Sequence, residues 1–244
     1  MTAVSADGVR FGHPLPVVGA TWTVVVHASS QSADPGGGEQ LATYDSEYVV
    51  EVVAVDGPAP SRVKLRFSRN AHAYQGNPVP TVLEGKEYVV DARAPHVRDA
   101  SGGAAPEDET QRVLDVFPDL GTRARIDEVL PDDAMHVGDR RDDLAAAILR
   151  VIHPRAWSLR AGGATLARVT GDEGVFDVSL DATSDTGLEM QLTGTAHVRT
   201  RDARLTQLDL DGPYVLKKPG TSEPPGTFSL RRRVTSEAAP HSDR

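Results

Sequence analysis

The sequence predicts a mainly β protein: a curved antiparallel sheet, half-barrel or barrel-like, with two or three short helices in the middle of the chain. Three observations predict it. Two long stretches, 17–92 and 155–236, alternate apolar with polar residues at the period of two that a sheet with one buried face requires. The stretch between them, 93–153, changes to helical spacing. The separators in the second stretch are so short that successive strands must run antiparallel.

The chain has 244 residues, enough to build its core without covalent staples as one domain over 1–244. Aromatic residues make up only 5%, so Val, Leu and Ala must fill most of that core, and Val favours strands.

In the first stretch, Thr21 to Ala28 and Glu47 to Val55 read as strands. Ser29 to Gln40 between them is Ser/Gly-rich and reads as a mobile loop. Ser61 to Asn70 is the clearest strand: Val63, Leu65 and Phe67 alternate with Arg62, Lys64 and Arg66. Thr81 to Leu83 and Glu87 to Ala92 flank Glu84, Gly85 and Lys86, which suit a tight hairpin.

In the insert, Glu107 to Phe117 carries Val113, Leu114 and Phe117 at helical spacing and is ended by Pro118. Arg123 to Leu130 is a second short helical pattern, stopped by Pro131. Leu144 to Ile152 is the third, with Asp139 or Asp142 as its cap, Leu144, Ile148, Val151 and Ile152 as its apolar stripe, and Pro154 as its terminator.

The second β stretch divides into Arg155 to Arg160, Ala164 to Thr170, Val175 to Thr183, Gly187 to Thr200, Ala203 to Asp211 and Thr227 to Thr235, an antiparallel meander. Gly162-Gly163 separates the first two, and Gly194 marks a bend or bulge. Asp209 to Gly212, followed by Pro213, reads as a strand end entering a turn. The tail, 237–244, is polar and reads as disordered.

Charge and composition exclude several function classes. With 26 basic against 35 acidic side chains the net charge is -9, which opposes a polyphosphate backbone and argues against nucleic acid as a partner. The absence of cysteine excludes disulfides, thiolate metal sites and a cysteine nucleophile. No run of 18 apolar residues is present, so no transmembrane segment is expected. Met1 to Gly12 lack the regions of a signal peptide, which fits either a cytoplasmic protein or one beginning after a removed export signal.

No motif points to catalysis. The acidic stretch with Asp132, Asp133, His136, Asp139, Asp142 and Asp143 is better read as loop and helix-capping chemistry than as a metal site. Asp181 to Gly187 resembles a calcium loop but lacks the remaining ligands, and reads as a hairpin turn. Eight scattered histidines, His27 and His197 among them, give no ligand pair, and there is no nucleophile elbow or phosphate-binding loop. Trp22 and Trp157 read as core anchors. No cofactor, no metal and no catalytic residue is assigned.

Ser229 to Arg232 is similar to the short tail peptides that load cargo into encapsulin shells, although a closing strand explains the same residues. Across most of the chain, Leu130-Pro131 with Val137-Gly138-Asp139, and the Gly171 to Val178 stretch, resemble a family of bacterial exported β proteins, many of them lipoprotein-like. This chain departs from that family where an aromatic usually follows Val-Gly-Asp; Arg140 and Arg141 stand there, as the start of a helix. The pattern is more distantly similar to lipoprotein-carrier half-barrels. That resemblance implies an envelope or periplasmic protein that has lost its export signal.

Two functional readings follow. The leading one is a non-catalytic module binding a lipid or other hydrophobic ligand in a groove between sheet and helices, lined by Val63, Leu65, Phe67, Leu188 and Met190. The alternative is a structural or protein-interaction protein of the envelope, or an encapsulated cargo, with a filled core.

Overall fold

The computed structural model describes residues 8–34, 38–92, 96–116, 120, 125–152, 157–218, 221–222 and 225–237. Six strands come first: β1 (Thr21–Asp34), β2 (Gly38–Asp56), β3 (Ala59–Tyr74), β4 (Asn77–Val79), β5 (Glu87–Asp91) and β6 (His96–Asp99). The insert supplies α1 (Glu107–Val116), α2 (Arg125–Val129), β7 (Arg140–Arg141) and α3 (Asp142–Ile152). The chain then continues through β8 (Trp157–Thr170), β9 (Glu173–Ser184), β10 (Leu188–Arg199), β11 (Arg204–Lys218), β12 (Thr221–Ser222) and β13 (Gly226–Glu237).

The strands form one antiparallel sheet in the order β6-β5-β3-β2-β1-β13-β11-β10-β9-β8-β7, with β4 beside β3 and β12 beside β11. Its two ends do not pair, so the sheet is open. The first and last long strands close the two halves on each other, from Thr21 opposite Glu237 to Gln31 opposite Thr227. The meander expected in the second half is therefore completed by a strand from the N-terminal half.

Alternation sets the two faces. In β3, Val63 and Leu65 are fully buried, and Phe67 nearly so. Arg62, Lys64 and Arg66 on the opposite face pair with Asp91 and Glu87 of β5. The inner face carries two apolar clusters. One gathers Leu166, Phe176, Leu192, Leu208 and Leu210 with Leu144 and Ile148 of α3 and Ile126 of α2. The other gathers Val50, Val63, Leu65, Phe67, Tyr88 and Val90 with Val113 of α1.

The helices form where the period predicts. Asp142 and Asp143 stand in the first turn of α3, where carboxylates meet the positive end of the helix. Asp143 also holds Arg141 at 2.6 Å. Leu144 and Ile148 of α3 are buried against β8 and β9, each contributing about 1.5–3 kcal/mol of transfer free energy. Asp139 caps a preceding turn instead, accepting from the His136 amide at 2.7 Å. Phe117, Pro118, the start of the second helical pattern and Pro154 lie outside the described residues, as does the tail from 238 onward.

Several local expectations are corrected by the register. Ser29 to Asp34 and Gly38 to Gln40 are strand, not loop, because β2 accepts the whole of β1 down to Asp34 opposite Gly38. Thr81 to Leu83 form no strand; β5 pairs with β3 instead, and Gly85, at φ +74°, turns the chain back by bonding its amide to the Phe67 carbonyl. His96 to Asp99, unforeseen, pair with β5. Arg140 and Arg141 begin no helix; they pair with Thr165 and Ala164.

Gly162 and Gly163 make no turn: β8 continues through them after a register shift at Leu159/Ala161, and a Cβ on Gly163 would lie 2.2 Å from the Arg140 guanidinium that crosses it. Gly194 makes no bulge, since β10 pairs through it on both sides and shifts register only at His197/Val198. Gly212 and Pro213 likewise sit inside β11, opposite Phe228 and Thr227.

Candidate functional site

The register of five central strands puts one set of side chains on the inner face, between the two clusters. Asn70 on β3 stands opposite Ser46 on β2, Ser46 opposite Val26 on β1, Val26 opposite Arg232 on β13, and Arg232 opposite Leu208 on β11. The next row carries Tyr44, Ala28, Leu230 and Leu210. Side chains at alternate positions of a strand share a face. Arg232 therefore lies on the same side as Leu230 and Val234.

Apolar burial is incomplete along this central strip. Val26 packs against both clusters, and Ala28, Tyr214 and Phe228 pack against the first, yet all four remain half-buried. Helix α1 lies by β6 at one end, α3 by β8 and β9 toward the other, and α2 reaches β11.

Polar groups converge within the strip. The Asn70 amide, 4% exposed, donates to the Tyr44 hydroxyl at 3.1 Å. Ser46 is 2% exposed and its hydroxyl has no hydrogen-bond partner among the described residues. Burial pushes the Tyr48 phenol up, the Arg232 guanidinium beside it opposes that shift, and the nearby Tyr44 adds to it. Arg204 stands over the Trp22 ring at 4.4 Å. Burial draws the Arg204 guanidinium below its ordinary value, Asp202 opposes, and Arg232 is among the cations that reinforce the shift.

The neighbouring arginines behave differently. Arg231 and Arg233 point outward and meet Asp211 and Asp209 at 2.8 and 2.7 Å. Among the described residues, no carboxylate forms an ion pair with Arg232.

The five residues singled out from sequence fall into two groups. Val63, Leu65 and Phe67 come together in the second cluster, where Phe67 lies 5.3 Å from the Tyr48 ring and 6.1 Å from the Tyr88 ring, centroid to centroid. Met190 belongs to the first cluster, opposite Tyr214, and Leu188 is half-buried opposite Leu216. Sequence reasoning missed Arg232, Ser46, Tyr44, Tyr48 and Asn70. A signal was present for Arg232, a charge in the inward register of Phe228, Leu230 and Val234.

Other constellations read as structure. His197 Nδ1 lies 3.0 Å from Glu173, while the Thr206 hydroxyl donates to the same carboxylate at 2.6 Å. The hydroxyl faces Glu173 rather than the imidazole, the reverse of what activating a nucleophile needs. Glu173 is held below the usual carboxylate range: burial raises it, and the Thr206 hydroxyl and His197 outweigh that by lowering it. His27 bonds Asp45 at 2.7 Å on the outer face. His13 contacts Asp127 and lies 3.6 Å from Asp132.

Among the described residues no three His, Asp or Glu side chains are grouped to hold a metal. In the calcium-like stretch, Asp181 is taken by Arg160 at 2.6 Å, and the Ser184 hydroxyl accepts the Leu188 amide at 3.0 Å. Ser229 to Arg232, the tail-like peptide, is paired on both sides in the middle of the sheet. A shallow depression of about 330 Å³ lies at the β8–β9 end, lined by Trp157, Ser158, Thr183, Ser184 and Asp185. Among the described residues no helix is long and apolar enough to cross a membrane.

No family model matches the chain, and no curated protein matches it. Among solved structures it is similar to DynF from the dynemicin biosynthesis pathway of Micromonospora chersina, at 12% identity, covering 97% of this chain and 98% of that one, with a TM-score of 0.26. A likeness at that score carries no argument.

Proposed function

We propose that this chain is a non-catalytic binding protein of the cell envelope whose ligand is a lipid or other hydrophobic small molecule. The ligand lies along the inner face of the central strands, between the halves that α1 and α3 flank. One observation carries the reading: Val26, Ala28, Tyr214 and Phe228, inward by register, stay half-buried where an ordinary core would enclose them. Apolar surface left open gains about 25 cal/mol per Å² when a ligand covers it. Sites for small molecules are typically mostly apolar with a few convergent polar groups, and the strip has both.

A second reading, a protein-interaction role, is favoured by Leu15, Val17 and Val18, which are 65%, 61% and 55% exposed in succession before β1. The two readings part on one experiment. Native mass spectrometry of protein purified from its own host, followed by solvent extraction, is expected to show a stoichiometric hydrophobic adduct. Protein that carries no adduct and binds no fluorescent fatty-acid probe overturns the ligand reading and leaves the interaction surface.

A further inference from the structure

Resting on the hydrophobic-ligand reading, we infer that Arg232, Tyr48, Tyr44 and Ser46 form a carboxylate-binding niche that holds the head of a long-chain carboxylic acid, its tail lying along Val26, Ala28 and Phe228. The register brings these groups together. Ser46, Val26 and Arg232 occupy one row across β2, β1 and β13, while Tyr48 and Tyr44 flank Ser46 two residues away on the same face. Two strand spacings of about 4.8 Å separate β13 from β2, and the long arginine stem and the tyrosine rings close that span from opposite sides.

Ser46 is 2% exposed with its hydroxyl unbonded among the described residues, and Asn70 opposite it is already committed to the Tyr44 hydroxyl. A buried hydroxyl left without a partner is uncommon and calls for an explanation. Arg232 carries five N–H donors, of which Tyr48 can take only a fraction. A half-buried guanidinium with no counter-charge among the described residues costs desolvation that an anion in the niche offsets.

The chemistry selects a carboxylate. A guanidinium fork matches a planar carboxylate with two parallel hydrogen bonds, and the hydroxyls of Ser46 and Tyr48 supply further donors. Arg232, which no carboxylate pairs with among the described residues, neutralises one negative charge. A phosphate monoester carries about 1.5 to 2 charges at neutral pH and would leave part of that uncompensated. Arg204 does not make up the difference, being stacked over Trp22 with Asp202 facing it. The surroundings fit an amphiphile better than a small free acid, since the same strip continues into half-buried apolar side chains.

The test is displacement of bound cis-parinaric acid, followed by its fluorescence, using laurate, methyl laurate, dodecyl phosphate and acetate on the full chain. Laurate is expected to displace the probe at a concentration roughly tenfold or more below that of methyl laurate, the ratio that a charge-assisted pair supplies over a neutral contact. Arg232→Met, which keeps the apolar stem, is expected to bring the two within about twofold, and Tyr48→Phe to narrow the ratio partway. The laurate-to-ester ratio in the unaltered protein stands without either variant.

Equal displacement by acid and ester there overturns the niche and leaves hydrophobic binding intact. Failure of the protein to bind the probe or any of the long-chain compounds overturns both. Dodecyl phosphate outcompeting laurate overturns the assignment to a carboxylate. Displacement by acetate at the laurate concentration overturns the amphiphile in favour of a small free acid.

Discussion

Replacing Glu109 by Gln tests whether α1 is pinned to the sheet by a charge. Glu109 is 8% exposed in the first turn of α1, accepts Lys86 Nζ at 2.6 Å, and accepts the hydroxyl of Tyr88, which is fully buried. Lys86 first and Tyr88 second hold the Glu109 carboxyl below the usual carboxylate range. Burial, then the bond to Glu109, pushes the Tyr88 phenol up. A hydrogen bond to a charged group is worth about 1.5–3 kcal/mol, whereas the half-exposed lysine adds less than about 1 kcal/mol. The expected loss at neutral pH is therefore about 1.5–3 kcal/mol, most of it through Tyr88.

The pH dependence follows from the sign of that shift. A carboxyl whose folded pKa lies below its unfolded value of about 4.3 contributes stability that is present above that value and lost as pH falls through the folded one. Glutamine does not titrate there, so the gap between the native chain and Glu109→Gln should be full at pH 7 and shrink below about pH 4. Urea unfolding at pH 7 and pH 3 measures it. A gap below about 0.5 kcal/mol at neutral pH, or one that persists unchanged at pH 3, refutes the reasoning.

Two further predictions concern glycines and the core. A Cβ on Gly194 would lie 1.9 Å from the Asp209 carbonyl, and one on Gly163 would meet the far end of Arg140. Gly194→Ala should therefore cost about 2–4 kcal/mol or prevent folding, while Gly163→Ala should cost under about 1 kcal/mol because the guanidinium can swing aside; urea midpoints compare them. Phe67→Ala, which empties a site that is 1% exposed between Tyr48 and Tyr88, should lose about 3–5 kcal/mol, and Leu188→Ala, half-buried, clearly less, as read by thermal unfolding.

How much was legible depended on where each residue's neighbours come from. Ser61 to Asn70 could be read because Val63, Leu65 and Phe67 alternate with three cations, a pattern that one strand carries by itself. Helix α3 could be read from its own stripe of Leu144, Ile148 and Ile152. Ser29 to Asp34 could not, because a Ser-rich segment has no pattern of its own and becomes strand only when β2 supplies a partner along its whole length and β13 a second one as far as Gln31. Gly162, Gly163, Gly212 and Pro213 look like turns for the same reason. Their composition says where a chain is free to bend, and only the partner strands decide that it does not.

The candidate site shows the same division. By itself the sequence determined a β-rich chain with a helical insert, a net charge of -9 and no cysteine, since period and charge are local sums. Only the tertiary structure decided that Arg232 stands opposite Val26, that Ser46 lies beyond it, and that Tyr48 reaches the same place. Those residues lie on β13, β1 and β2, and their meeting depends on the first and last long strands pairing across nearly the whole chain. No local window records a contact of that separation. Register, not periodicity, sets which side chains share a row.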